Sequence, residues 1–197
     1  MSVEVAAVIL AAGAGSRFDG TGHKLLAELP ERADEPSASV IERSLDHVLA
    51  AHVGPVLVVT GAVDDVVPER FADVVAVHHN PRWADGQATS LHIGLDAAAQ
   101  LGCRAAVIGL ADQPFITPAA WRAVAAADAP IAVATYDGRR GNPVRLDAAV
   151  WHLLASTGDE GARSLMRVRP DLVREVPCTG SPADIDTEED LRRWQNS

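Results

Sequence analysis

Hydrophobic and polar positions along this chain follow two periods. Short, nearly continuous apolar runs recur at residues 3–10 (VEVAAVIL), 55–60 (PVLVVT), 74–78, 105–110 and 131–136. Runs of that length, rich in β-branched residues, predict strands buried on both faces. Between them lie stretches with helical spacing. Val40, Ile41, Leu45, Val48 and Leu49 predict a helix over 40–52, with Ser39 as its N-cap. Leu91, Gly94, Leu95 and Ala98 share one face of a helix over 89–101. Thr117 and Pro118 open a helix to Ala127, because proline suits the first helical position. Shorter helices are predicted over 64–71, 148–156, 162–168 and 187–195. A turn into a strand is predicted over 138–146, and a late strand over 172–176. The polar stretch 31–39, with Pro36, predicts an exposed insertion. Strands alternating with helices predict βαβ units, hence a three-layer α/β sandwich around a mostly parallel sheet. No repeat or linker divides the pattern, so residues 1–197 are read as one domain.

Composition narrows the functional classes. The chain is 48% hydrophobic and 22% charged, as a folded globular protein should be. Its 17 basic and 27 acidic residues give a formal charge of -10, which disfavours a nucleic-acid scaffold. Cys103 and Cys178 lie far apart, without CxxC or zinc-ligand spacing, and read as reduced thiols. The apolar start is too short to span a bilayer and has no basic segment before it. A cytoplasmic protein without a membrane partner is therefore expected. Among the 17 basic residues only one is a lysine, Lys24.

In such sheets ligands bind outside the carboxyl ends of strands. That rule singles out the loops after Leu10, Thr60, His78 and Leu110. The first, LAAGAGSRFDGTGHK, holds Gly13, Gly15, Gly20 and Gly22 and offers many backbone N–H groups with little side-chain bulk. Such a loop can wrap phosphate oxygens. Phe18 breaks both the dinucleotide GxGxxG pattern and a GxSxG nucleophile elbow, and no Walker Lys-Ser/Thr follows. Glycines alone would read as a packed turn. Arg17 and Lys24, two cations in one loop of an acidic chain, point instead to a polyphosphate.

Carboxylates supply the rest. Asp112 follows a buried strand directly and suits Mg²⁺, with a cap for the helix near Thr117 as the alternative. Asp184 and Asp186 share one side of an extended segment and are candidate further metal ligands. Either Asp186 or Thr187 also suits the cap of the last helix. Asp159 and Arg163 lie in a loop opening a helix, where they would grip a second substrate or simply cap. His78 and His79 lack a third ligand, and Trp83, Trp121, Trp151 and Trp194 read as packing.

Six collinear stretches carry a resemblance. They are LAAGAGSRFDGTGHK, DGQATSLHIGL (85–95), ADQPFITP (111–118), GNPVRL (141–146), GDEGAR (158–163) and DIDTEEDL (184–191). In this order they resemble the MobA-like NTP transferase family, and within it the molybdenum cofactor cytidylyltransferase branch. The resemblance implies a Rossmann-like, glycosyltransferase-A-type fold. It implies that Leu10, Ala11, Ala12, Gly13, Ala14, Gly15 and Ser16 hold a nucleoside triphosphate, with Arg17 and Lys24 on its phosphates. Asp112 would bind Mg²⁺, assisted by Asp184 or Asp186. Gly61 and Asn80 would belong to the nucleotide pocket. Within the family LAAG goes with cytidine nucleotides and LAGG with guanosine, so CTP is favoured. Gln113 after the metal aspartate also resembles the cytidylyltransferase branch. Gln113, Asn142, Asp159 and Arg163 would face a phosphate-bearing acceptor such as molybdopterin, with a recipient molybdoenzyme downstream. Asn142 stands where that branch often has histidine. The alternatives are another NTP transferase, using GTP or a sugar- or alcohol-phosphate acceptor, and an NAD(P)H-dependent redox activity, because relatives are labelled nicotine blue oxidoreductases.

Overall fold

The computed structural model describes residues 4–18, 22–29 and 36–195. Strand β1 (Val5–Ala11) is followed by a small ribbon of β2 (Glu28–Leu29) and β3 (Ala38–Ser39), then helix α1 (Val40–Ala51). Next come β4 (Val56–Thr60), β5 (Val75–His79), α2 (Gln87–Gln100), β6 (Ala105–Leu110) and α3 (Pro118–Ala125). The chain continues through β7 (Ile131–Tyr136), β8 (Arg139–Asp147), the single turn α4 (Ala148–Trp151) and α5 (Arg163–Val168). It closes with β9 (Val173–Pro177) and α6 (Glu188–Gln195).

Seven strands form one sheet in the order β5-β4-β1-β6-β8-β7-β9. Every neighbouring pair is parallel except those of β8, which runs against both β6 and β7. The mostly parallel α/β sandwich expected from the sequence is therefore present. Strand periodicity divides the core. Ala7, Ile9 and Ala11 of β1 face the layer of α1 and α3, where Ile41, Leu45 and Trp121 are buried. Ala6, Val8 and Leu10 face the layer of α2 and α5, with Leu91, Leu95 and Met166. Ser39 caps α1 through a capping box with Glu42. Asp137 and Gly138 both take positive φ, 49° and 76°, and close a two-residue hairpin between β7 and β8.

Three predicted elements differ. The helix expected over 64–71 is only a 3-10 turn at Glu69–Phe71. Pro68 is extended, with no N–H to donate, and it disfavours a helical Val67. The helix expected over 148–156 stops at Trp151. There the Trp151 indole donates back to the Leu146 carbonyl (3.1 Å), and the next turns close at i→i+3. The end of the predicted exposed insertion is instead the buried strand β3, whose Ala38 pairs with Leu29. Residues 31–35, the strand start at Val3 and the loop glycine Gly20 lie outside the described residues. No described helix is long and apolar enough to cross a membrane.

Candidate active site

Where β1 ends, the bulky side chains stop and the chain lifts off the sheet. The Ala12 carbonyl accepts from the Ala62 N–H (3.1 Å), which moors the loop to the end of β4. Gly61 serves that approach. A Cβ there would lie 2.6 Å from that of Trp83 and 2.8 Å from that of Ala12. It seats the loop from behind. In front, Gly13, Ala14, Gly15 and Ser16 border a cleft of about 450 Å³, closed by Arg17, Lys24 and Asp112. Leu10 and Ala11 form its floor.

The centre of this cleft is an ion cluster. Lys24 Nζ lies 2.6 Å from Asp112 Oδ2 and 2.7 Å from Asp186 Oδ1. Arg17 reaches Asp186 Oδ2 at 3.0 Å from a side chain that is 75% exposed. Burial by itself would lower the Lys24 pKa. The Asp112 charge and the hydrogen bonds to both carboxylates outweigh that, so the ammonium holds its proton above the usual lysine range. Asp112 is fixed by its own backbone. Its carbonyl accepts from the Ile185 N–H (2.8 Å), and the preceding Ala111 carbonyl accepts from the Ser44 hydroxyl (2.8 Å). Thr187, not Asp186, caps α6, donating and accepting with Asp190. That leaves Asp186 for the cleft. Thr117 caps α3, so Asp112 is not needed there either.

A divalent cation fits this arrangement. Asp112 Oδ1 is buried and finds no hydrogen-bond partner among the described residues. Together with Asp186 it makes a hard-oxygen donor pair. No described cluster of three or more acidic, histidine or cysteine side chains could hold a metal alone. Two carboxylates completed by phosphate and water are the usual protein share for Mg²⁺.

Beyond Asp112 the cleft opens into a second cavity of about 510 Å³. Leu110, Val133, Val144 and Met166 give it apolar walls; Arg140, Arg163 and Arg167 stand at its rim. Gln113, Asn142 and Asp184 are linked along one side. Asn142 Nδ2 donates to Gln113 Oε1 (2.8 Å), and Gln113 Nε2 donates to Asp184 Oδ1 (2.6 Å) and the Pro182 carbonyl (3.0 Å). Tyr136 closes the chain by donating its hydroxyl to the Asn142 carbonyl (2.8 Å). Burial pushes the Tyr136 hydroxyl upward, so it remains a donor. Asp184 therefore faces this cavity, while Asp186 faces the lysine. Burial, then the Asp112 charge, pushes the Asp184 carboxyl above its ordinary range.

Three predicted site residues sit elsewhere: Gly61, packed behind the glycine loop against Trp83 and Ala12, lines none of these cavities. Asn80 is 1% exposed, and its amide is consumed by Thr89, Ser90 and the Arg82 N–H. It braces the start of α2 from inside. Asp159, expected beside the second substrate, borders the glycine-loop cleft instead and accepts from the Gln87 N–H at 3.4 Å. Trp83, Gly86 and Ser90, taken as packing or left unassigned by sequence, line a cleft of about 370 Å³ that joins the glycine loop. Only their approach in space connects these positions to Asp112.

Residues 7–175 match the MobA-like NTP transferase domain. The chain belongs to this family. A nucleotidyl transferase from Methanothermobacter is 26% identical and superposes with a TM-score of 0.80, covering 98% of this chain and 96% of that one. The Mycobacterium tuberculosis protein Rv0371c is 27% identical, with a TM-score of 0.78 and full coverage of both chains. A manganese complex of Rv0371c is also similar, with a TM-score of 0.75 over 98% of this chain and 99% of that one. A nicotine blue oxidoreductase from Paenarthrobacter nicotinovorans is 32% identical over 96% of this chain and 95% of its own length. The matched span includes the glycine loop and Asp112.

Proposed function

We propose that this MobA-like protein transfers CMP from CTP to a terminal phosphate of an acceptor of the molybdopterin type, with Mg²⁺ and release of pyrophosphate. One observation carries the reading: Lys24 is held between Asp112 and Asp186 at the mouth of a glycine loop, beside a separate apolar cavity. The N–H groups of the loop suit phosphate oxygens, and Arg17 adds a mobile charge above them. An acceptor phosphate oxygen would attack the α-phosphorus, and the bond to the β-phosphate would break. A phosphate monoester is largely ionised at neutral pH, with a second pKa of about 6, so no general base is required. The chain's contribution is alignment and charge neutralisation. Mg²⁺, held by Asp112 and Asp186, would supply Lewis-acid stabilisation of the phosphates. Lys24 would then leave the carboxylates for the phosphate oxygens. The LAAG sequence at Leu10–Gly13 supports CTP over GTP through the family resemblance.

Pyrophosphate release with molybdopterin and each of the four nucleoside triphosphates tests the reading. CTP should support it best, and Asp112→Ala should remove nearly all of it while circular dichroism stays unchanged. Release with GTP alone, or undiminished release by Asp112→Ala, overturns it. The identity to a nicotine blue oxidoreductase favours a second reading, reduction of an aromatic by NAD(P)H. A rise in melting temperature with NADPH, and none with Mg-CTP, would select that reading.

A further inference from the structure

His23 was no candidate in the sequence, yet it joins the two ends of the glycine loop. It caps the 3-10 turn Lys24–Leu26, its Nδ1 accepting from the Leu25 N–H at 3.3 Å. With Nδ1 used as an acceptor, the neutral ring carries its hydrogen on Nε2. That N–H donates to the Gly13 carbonyl at 3.0 Å, ten residues back along the chain. One imidazole thus ties the first glycine of the loop to the backbone on either side of Lys24. The ring also lies under Gly15. A Cβ at Gly15 would come 3.0 Å from His23 Nε2 and 3.2 Å from Lys24 Cγ, and φ there is +62°. The loop is therefore wrapped around the ring. His23 itself is absent from the cleft wall formed by Gly13, Ala14, Gly15 and Ser16.

We infer that His23 is a positioning residue for the triphosphate, resting on the nucleotidyl-transfer reading above. It touches no reacting atom. By drawing the Gly13 carbonyl behind the loop, it holds the loop closed and turns the neighbouring N–H groups toward the cleft. By capping Leu25 it fixes the backbone from which Lys24 projects. Organising the loop before the ligand arrives reduces the ordering that binding must supply.

Calorimetric titration of Mg-CTP into the full chain separates these roles. His23→Ala should weaken binding about tenfold, the effect of losing one or two such hydrogen bonds, with KM rising more than kcat falls. His23→Gln places an amide N–H near the position of Nε2 and should recover most of the affinity. His23→Asn can cap Leu25 but cannot reach Gly13, and should not recover it. Nitrogen-15 spectra of the imidazole should show the Nε2–H tautomer in the nucleotide-free protein. Wild-type affinity in His23→Ala, equal rescue by Asn and Gln, rescue by neither, or the Nδ1–H tautomer would each overturn the inference. A wild-type chain that binds none of the four nucleoside triphosphates brings down the nucleotidyl-transfer reading, and this inference with it. A binding wild type with indifferent His23 variants removes His23 alone.

Discussion

Lys24 keeps two carboxylates together that would otherwise repel. Its folded pKa is raised, so the stability it contributes is complete below the ordinary lysine value of 10.5. That contribution is lost as pH climbs through the higher folded value. The same ammonium occupies the space between Asp112 and Asp186, so on the proposed function it would compete with the metal for these two carboxylates. Lys24→Met should raise the affinity of the nucleotide-free protein for Mn²⁺ by at least about tenfold, read by paramagnetic resonance of free Mn²⁺. Lys24→Arg should not restore function. A planar guanidinium cannot replace a compact head 2.6 and 2.7 Å from two different carboxylates, and pyrophosphate release should fall roughly a hundredfold. Asp184 behaves oppositely. Its raised pKa means that ionisation costs stability in the folded state at neutral pH, and that the cost vanishes once the group is protonated. Asp184→Asn keeps an oxygen for Gln113, and should raise Tm at pH 7 by roughly 2–4 °C. The gain should fade as pH falls toward 3.8, the ordinary aspartate value, while KM for the acceptor rises.

At the level of elements, the parts legible in the sequence are those set by local periodicity. β1, β4, β6 and β7 announce themselves as continuous apolar runs, and Ser39 and Thr117 as caps. What stayed hidden depends on partners far along the chain. Gln113 finds Asp184 across 71 residues, and Asp159 serves the start of α2 across 72. Asp184 and Asp186 look equivalent as a pair two residues apart, and only the fold sends one to each cavity. Asn80 has the polarity of a binding residue, but its hydrogen bonds are satisfied internally. The predicted helix over 64–71 failed because propensity and spacing outvoted Pro68. Close approach of elements was equally invisible. Gly94 lets α2 lie on β1, where an added Cβ would meet Val8 Cγ1 at 2.5 Å. Gly94→Ala should cost about 1–3 kcal/mol of overpacking strain, measurable by urea unfolding.

The molecule as a whole carries a charge of -10, yet the proposed function asks it to receive a polyanion. On the proposed function the contradiction dissolves locally, since Arg17, Lys24 and a divalent cation held by Asp112 and Asp186 would together offset the carboxylates of one cleft. Chelation should therefore stop transfer without unfolding the chain. With EDTA, pyrophosphate release should cease and Tm in the absence of nucleotide should hold, and Mg²⁺ or Mn²⁺ should restore turnover. The reversed strand β8 has a separate consequence. On the proposed function, groups that would hold the nucleotide follow the exits of parallel strands β1 and β6, which the buried sheet fixes in place. Arg140 and Asn142 arrive on the entrance of a strand running the other way, from a hairpin whose tip is only Asp137 and Gly138. The two halves of the proposed reaction would thus rest on separable pieces of chain. On that reading a lineage could exchange the hairpin, and with it the molecule being modified, while the triphosphate is held as before.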